Sequence, residues 1–392
     1  MHTRSETATA RGEPHQARPK RLFELDALRA FAIILILVHH LAAYAYTPSV
    51  LELFDRIDYY VFPFFFFGLS LFFFASGYAL YYNHTTLSTM RAVGGFLKKR
   101  AIRIYPLYWI AIAAFIVLGI GTWGNNIAWI IAQVCGAQGL LAPRFGTPVI
   151  TLWFIGVILL FYLIYPFVVS FSSTPKRLLP ALLLPLLLFV VLRVEFNLVD
   201  FRFFVYYALF FGGVLASKYE VFNRYAVKPS YVVVSVLLLI TALVLIANRS
   251  LFGGQPHVFL YSGLDTSAPP LTTNTVLAII VADILGLIFV YTTFTLSRLV
   301  LPSLTSTARR AIGGIAFSAY CVYLFHRPVL VLLADALKAT HLVALQKDVL
   351  IIVCGIPLIF IVGYALQRGW NSLLAKATPQ RQPHARRSAQ TK

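Results

Sequence analysis

Four ionisable side chains lie inside the first apolar run of the chain, residues 25–46. Ionisable groups within a membrane span are costly, and by default they mark a functional site. Arg29 and His40 are separated by three helical turns plus about 20°, so they share one face, about 16 Å apart along the axis. Asp26 lies one turn before Arg29 on that side, whereas His39 points about 80–100° away. The spacing predicts a polar face formed by Asp26, Arg29 and His40.

This polar face could perform acid–base chemistry, because a neutral imidazole is suited to accepting a proton from a hydroxyl group. A structural interpretation is equally compatible with the run by itself. In that case His40 would be hydrogen-bonded between packed helices, and Arg29 would extend to the lipid headgroups.

A second group of charged side chains, the basic cluster, consists of Lys98, Lys99, Arg100 and Arg103 at the mouth of the third apolar run. The three-residue spacing of the two arginines places their guanidinium groups on one face of a helix, where they could bind a polyphosphate. The alternative is an ordinary anchor on the cytoplasmic side of the membrane, which most such clusters are.

Further candidates for a site lie in later apolar runs. Asp283 lies about a third of the way into the eighth run, where a carboxyl group must be protonated, paired or facing water. His326 is a second imidazole within a span, directly before Arg327. Aromatic residues of the same regions complete the set of candidates: Tyr320, Trp153 and Tyr162.

The composition requires a polytopic membrane protein with an all-α fold. The chain is 59% hydrophobic and 12% charged, whereas soluble domains are about one quarter charged. The run at 127–141 is short for a span and favours a surface or re-entrant helix. Ten apolar runs of membrane length are predicted at 25–46, 59–82, 104–121, 149–171, 178–194, 203–217, 230–247, 276–297, 312–334 and 349–367.

The distribution of Lys and Arg predicts that both termini are cytoplasmic. With the N-terminus inside, 24 of the 33 basic residues fall in cytoplasmic segments and 7 in external ones. The net charge of +19 is therefore spread over loops and tails, which argues against nucleic acid as a partner. Residues 1–21 and 371–392 are predicted to be disordered basic cytoplasmic tails around a membrane domain at 22–370. The first run should remain as an anchor, since it lacks a cleavage site. The spacing of the three cysteines supports neither a disulfide framework nor a metal site.

Four motifs, in order, resemble those of the acyltransferase-3 family of integral-membrane acyltransferases. The opening helix of the family resembles the first run here, in which LDALR, ending at Arg29, is followed by ten residues and then His40. The second-helix Ser-Gly motif of the family resembles FFFASGYAL at 72–80. KKRAIRIYPLYW at 98–109 is similar to its RxxR segment, and YLFHRPV at 323–329 to its late Tyr-Leu-x-His-x-Pro element.

One helix departs from the family pattern. Many members have Trp-Ser-Leu-Ser-x-Glu-Glu-x-Phe-Tyr in the fourth helix, but Ile158 and Leu159 occupy the two acidic positions here. The chain thus looks closer to a stand-alone subgroup that modifies surface polysaccharides or small molecules. Only a short polar stretch follows the last run, so the esterase-like C-terminal domain of some members is not expected.

The resemblance implies transfer of an acyl group, most simply acetyl, from cytoplasmic acetyl-CoA to a hydroxyl of a glycan or lipid-linked acceptor at the bacterial inner membrane, without a metal. The basic cluster would bind the CoA phosphates. His40 would act as general base or as a transiently acylated relay, with Arg29 stabilising charge and Asp26 orienting it. If His40 is the general base, the rate of acyl transfer should fall as the pH is lowered, and the residual activity of His40→Gln should no longer show this pH dependence.

Two other classes of function remain open from the sequence. A transporter or flippase for a lipid-linked glycan would use the intramembrane His, Asp and Arg residues for translocation, but would not explain the RxxR spacing. A sensor or structural protein would leave the alignment of Arg29 and His40 unexplained. Hydrolysis or transfer of acetyl-CoA by the purified protein separates these classes. The acceptor, the acyl chain length and the oligomeric state do not follow from the sequence.

Overall fold

The computed structural model describes residues 22–48, 63–83, 87, 89–124, 126–172, 174–224, 228–247 and 271–377, together with the single residues 50, 53 and 57. This part of the chain is helical and contains no strand, which confirms the all-α prediction. The helices are α1 Phe23–Leu41, α2 Phe64–Asn83, α3 Met90–Val117, α4 Ile127–Val134, α5 Gln138–Leu141, α6 Trp153–Phe171, α7 Pro175–Phe196, α8 Arg202–Lys218, α9 Val221–Arg224, α10 Pro229–Ala247, α11 Thr273–Val300, α12 Ser306–Lys338, α13 Ala344–Leu350 and α14 Ile356–Ala377.

In its described part, each predicted apolar run overlaps at least one of these helices, and the tenth extends over α13, the π-helical residues Ile351–Gly355 and α14. The predicted number of spans is not confirmed. Within the described residues, eight helices are long and apolar enough to cross a membrane. The seventh run is a shorter apolar helix at Pro229–Val244, and the sixth is α8, which has 17 residues. The count of ten spans and the cytoplasmic termini therefore stay predictions.

The predicted tails fall largely outside the described residues. Residues 1–21 and 378–392 are not described. Helix α14 continues to Ala377, so residues 371–377, which the sequence assigned to the C-terminal tail, are helical.

The segment at 127–141 forms the two short helices α4 and α5. Helix α4 begins at an Asn126 cap, whose side-chain oxygen accepts hydrogen bonds from Ala128 and Trp129. Two glutamine side chains of this segment, Gln133 and Gln138, are buried. They hold the loop before α6 in place through hydrogen bonds to the backbone of Val149 and Leu152.

Helix α1 packs mainly against α2 and α12. Helix α2 in turn packs against α8, and the two backbones approach closely at a pair of glycines. A Cβ atom on Gly77 would overlap the carbonyl oxygen of Phe210, and one on Gly213 would overlap that of Phe74. The Ser-Gly motif therefore provides a contact between helices, since only glycine leaves space for the opposing backbone.

We expect Gly77→Ala to lower the free energy of unfolding by about 1–3 kcal/mol, because the added methyl group forces α2 and α8 apart. Thermal melting in detergent measures the effect. Gly369→Ala on α14 is the control, since a Cβ atom there meets no atom within 4 Å. A melting temperature for Gly77→Ala equal to that of Gly369→Ala would contradict this description of the α2–α8 contact.

Candidate active site

A cavity of about 800 Å³ opens among α1, α2, α3, α6, α12 and α14. Its wall includes residues at the start of α1, the end of α2 and the last turns of α14, such as Leu22, Asn83 and Asn371. The distribution of basic residues predicts that these helix ends are cytoplasmic. The volume is within the range of ligand-binding cavities in proteins. It is named the arginine cavity after the three arginines that line it, Arg29, Arg100 and Arg103.

Three guanidinium groups line the arginine cavity, those of Arg29, Arg100 and Arg103. They are close enough for the positive charges of Arg100 and Arg103 to act on Arg29. One carboxylate, that of Asp26, also lines the wall, with its Oδ1 3.7 Å from the Nη1 of Arg29. The cavity thus combines three positive charges with one negative charge, as a binding site for a polyanion would.

Aromatic side chains contact Arg100 and the backbone of α3, and they also form the deep end of the cavity. The Arg100 guanidinium lies 5.9 Å from the centre of the Tyr162 ring, and the Tyr320 hydroxyl donates a hydrogen bond of 2.9 Å to the carbonyl oxygen of Ile104. The predicted candidates Tyr162 and Tyr320 are therefore both cavity residues. Farther inside, the wall is lined by Phe72, Phe154 and Tyr323.

Two imidazole rings, the histidine pair, lie beyond this aromatic end of the cavity. His40 and His326 are both buried, and their rings stack with centres 4.9 Å apart and planes inclined by 11°. Tyr323 links the two regions, since it lines the cavity and its ring centre lies 6.1 Å from that of His326. The structure therefore brings His326 to His40, a contact that the sequence motifs alone did not predict.

Arg327 connects the histidine pair to the loop before α6. Its Nη2 donates a hydrogen bond to His40 Nδ1 at 3.1 Å, and its Nε donates one to Thr151 Oγ1 at 2.6 Å. Arg327 is buried, and no ion pair with a carboxylate is present in the described part of the chain. Its positive charge is consequently available to stabilise negative charge that develops beside the histidines.

Thr151 has a strained backbone. Its φ is +71°, a conformation that is unusual for a β-branched residue. The Tyr323 hydroxyl donates to its carbonyl oxygen at 2.6 Å, and Arg327 donates to its hydroxyl. Helix α12 therefore holds this residue from two sides, and such strain persists only where the surroundings enforce it.

The two short helices support the same loop. Gln133 of α4 accepts a hydrogen bond from the backbone N–H of Val149 at 2.8 Å, and Gln138 of α5 donates to the carbonyl oxygen of Leu152 at 3.1 Å. Tyr108 of α3 joins them, since it accepts from Gln138 and donates to the carbonyl oxygen of Gln133. This network fixes the position of Thr151 and, through it, of Arg327.

The remaining candidates from the sequence lie around these two regions rather than within them. Lys98 and Lys99 are exposed and do not line the described cavity, so their contact with phosphate stays a prediction. Trp153 is buried with the Arg202 guanidinium 4.1 Å from its ring centre, and Phe65 lies between it and His40. Asp283 lies on α11, outside the lining of the cavity, and its Oδ1 has no hydrogen-bond partner among the described residues.

The family comparison agrees with this geometry. The model described as an acyltransferase domain, that of the acyltransferase-3 family, matches residues 22–368. The chain belongs to the acyltransferase-3 family. A search of curated proteins and a search of solved structures each gave no match.

Membership identifies the protein as an integral-membrane acyltransferase, and the helices long enough to span a membrane agree with it. It also favours an enzyme over the transporter and the sensor that the sequence left open. Three of the four motifs of this acyltransferase meet in two places: Arg29 and the RxxR arginines in the cavity, and His40 with His326 beyond it.

Sequence reasoning missed two residues of the site. Arg327 was noted only as the neighbour of His326, and Thr151 was not singled out at all. A basic residue directly after a buried histidine was a usable signal for Arg327. Thr151 has no such signal, because its role depends on a backbone conformation that the surrounding helices impose.

Proposed function

We propose that this protein transfers an acyl group, most simply acetyl, from cytoplasmic acyl-CoA to a hydroxyl group of a glycan or another surface or lipid-linked acceptor at the bacterial inner membrane. The observation that carries the proposal is the arginine cavity at the predicted cytoplasmic ends of the helices. Acyl-CoA is made in the cytoplasm and carries several phosphate groups, so it is the acyl donor whose chemistry suits this cavity.

The charge of the cavity supports a phosphate-bearing donor. Arg29 is already paired with Asp26, which leaves Arg100 and Arg103 as the cations for an incoming anion. The Nε of Arg100 is buried and has no hydrogen-bond partner among the described residues. Forked guanidinium groups bind phosphate through two parallel hydrogen bonds, which is more specific than the contact of a single ammonium group.

The same two helices lead from the cavity to the histidine pair. On α1, Arg29 lines the cavity and His40 follows about 16 Å farther along the axis on the same face. On α12, Tyr320 and Tyr323 line the cavity, and the next turn carries His326 and Arg327. A donor with its phosphates at the arginines could thus extend its thioester between α1 and α12 toward the histidines.

The transfer requires a base and a group that stabilises an oxyanion. The acceptor hydroxyl loses a proton as its oxygen attacks the thioester carbonyl carbon, and a neutral imidazole can receive that proton. The tetrahedral oxyanion that forms is stabilised by hydrogen-bond donors and by the nearby guanidinium of Arg327. The intermediate collapses with cleavage of the carbon–sulfur bond, and CoA leaves with a proton.

We expect Arg100→Ala and Arg103→Ala each to raise the apparent dissociation constant for acetyl-CoA about 10–100-fold, because each removes a charge-assisted hydrogen bond of about 1.5–3 kcal/mol. Lysine at either position should restore binding only in part. Titration of the purified protein with acetyl-CoA measures both effects. The control is Arg91→Ala, an exposed cation on the same helix that does not line the cavity. If the cavity variants bind as tightly as Arg91→Ala, the basic cluster is only a topological anchor.

The proposed activity itself is tested by incubating the purified protein in detergent with acetyl-CoA and measuring the released CoA thiol. Release above the level of a denatured sample supports acyl transfer to water or to an added sugar hydroxyl. Absence of release, with acetyl-CoA bound in the titration, would indicate that acyl-CoA is a ligand rather than a substrate.

A further inference from the structure

Two buried nitrogen atoms of the histidine pair have no hydrogen-bond partner within the described structure: Nε2 of His40 and Nε2 of His326. Buried polar atoms are nearly always hydrogen-bonded, so each exception requires an explanation. Both atoms belong to rings whose other nitrogen, Nδ1, is bonded. The bonds at Nδ1 determine what each Nε2 can do.

In His40, the partner of Nδ1 is the Nη2 group of Arg327. A guanidinium has only donors, so Nδ1 of His40 must be the acceptor. The hydrogen of the neutral ring is therefore on Nε2, which makes this atom a donor rather than a base. For Nε2 to accept a proton, Nδ1 would have to carry a hydrogen directed at the N–H of Arg327.

In His326, the opposite tautomer is fixed. Its Nδ1 lies 2.8 Å from the carbonyl oxygen of Tyr323 and 3.2 Å from that of Val322. A carbonyl oxygen can only accept, so Nδ1 carries the hydrogen and Nε2 keeps a free lone pair. Because both carbonyl groups belong to the preceding turn of α12, the helix itself imposes this orientation.

From these hydrogen bonds we infer that His326 is the base of the transfer reaction, through Nε2, and that His40 donates its Nε2 hydrogen to the oxyanion. This inference rests on the proposed function and changes the role that the sequence hypothesis gave to His40. It assigns one proton acceptor and one hydrogen-bond donor to two stacked rings, in place of a single histidine acting alone.

The acceptor oxygen forms a bond to the thioester carbonyl carbon while its proton moves to His326 Nε2. The carbonyl oxygen becomes an oxyanion that accepts a hydrogen bond from His40 Nε2–H, near the charge of Arg327. When the carbon–sulfur bond breaks, the sulfur takes the proton from His326 Nε2, which regenerates the neutral ring and releases CoA as the thiol.

Several titratable or charged groups surround His326 and could contribute to the pH dependence of this step. The α1 side contributes His40 and, through its electrostatic effect, His39. The turn after α1 contributes Tyr44, which interacts with Arg327. On α12 itself the neighbours are Tyr323 and Arg327. Tyrosine and arginine side chains ordinarily titrate well above pH 8, whereas imidazole ordinarily titrates between pH 5 and 8, so an acidic limb in the rate reports an imidazole.

The test compares the pH–rate profiles of two variants, with acetyl-CoA as donor and water as acceptor. His326→Asn retains an amide N–H near the position of Nδ1 and removes Nε2, so we expect the rate to fall about 10²–10⁴-fold and the acidic limb to disappear. His40→Gln retains an N–H near the position of Nε2, so it should lose less activity and keep the limb. Acetyl-CoA titration verifies that both variants fold, because neither residue lines the arginine cavity.

A second variant distinguishes a chemical role of His326 from a purely structural one. In His326→Ala, added imidazole should restore both the rate and the acidic limb, which repair of packing alone would not do. The inference is overturned if the limb survives in His326→Asn, and loss of the limb in His40→Gln would assign the base to His40 instead. Failure of the wild type to release CoA would overturn the proposed function itself, which is a distinguishable result.

Discussion

His40→Ala should lower the rate of acyl transfer about 10²–10³-fold while acetyl-CoA binding stays unchanged. A loss of this size is typical when one hydrogen-bond donor to an oxyanion is removed. Binding should persist because His40 does not line the arginine cavity, where the phosphate groups are expected to bind. CoA release at saturating acetyl-CoA measures the rate, and titration measures the affinity.

His39 provides a matched control at the same depth of the same helix. Its ring lies 4.8 Å from that of Phe65, and it is only half-buried, whereas His40 is 3% exposed and bonded to Arg327. His39→Ala should therefore retain transfer near the wild-type rate. Equal losses in the two variants would mean that the effect of His40→Ala reflects packing of α1 rather than the chemistry of one imidazole.

Arg327→Lys should lower the rate of transfer at least about 10²-fold, although it preserves the positive charge. Arg327 bonds to Thr151 through Nε and to His40 through Nη2. A single ammonium group cannot reproduce that fork. Without the bond to Nδ1, His40 is no longer held in the tautomer that presents a hydrogen at Nε2. CoA release measures the loss, and acetyl-CoA titration should show unchanged affinity.

Variants of Thr151 separate the positioning role of this contact from its charge. Thr151→Val removes the hydroxyl that accepts from Arg327 Nε but keeps the β-branched shape, so transfer should fall. Thr151→Ser keeps the hydroxyl, and its activity should lie between that of Thr151→Val and that of the wild type. If Thr151→Val transfers at the wild-type rate, the bond between the loop and Arg327 does not position the guanidinium for the reaction.

Strain at Thr151 fits this positioning role. A β-branched residue at a positive φ costs about 1–3 kcal/mol, which the surrounding contacts must offset. Those contacts come from Tyr323 and Arg327 on α12 and, through Val149 and Leu152, from Gln133 and Gln138. The strained loop thus joins α12 to the two short helices at the point where the guanidinium is held.

Much of the fold and part of the site follow from the sequence alone. The apolar runs are local features, and their described residues are mostly helical, because a chain in lipid must satisfy its backbone groups internally. The helical period also fixes which residues of α1 share a face. It places Asp26, Arg29 and His40 on one face and turns His39 away from it; in the structure Arg29 pairs with Asp26, and His40 is buried whereas His39 is half-buried.

The RxxR spacing shows where local reasoning ends. It predicted that Arg100 and Arg103 share a face, and both line the cavity. It did not predict that Lys98 and Lys99, in the same basic cluster, are exposed. The helical period determines which residues share a face, but not how the helix is rotated about its axis. Only the packing of the neighbouring helices determines which face lines the cavity.

Only the tertiary structure determined how the histidines divide their roles. His40 and Arg327 are 287 residues apart in sequence, and no periodicity within one helix relates them. The packing of α1 against α12 brings them together, and the resulting hydrogen bond fixes the tautomer of His40. The sequence thus determined which chemical groups enter the membrane and on which helical faces they lie. The contacts between distant helices determined which nitrogen carries the proton, because a tautomer depends on the partner of each ring nitrogen.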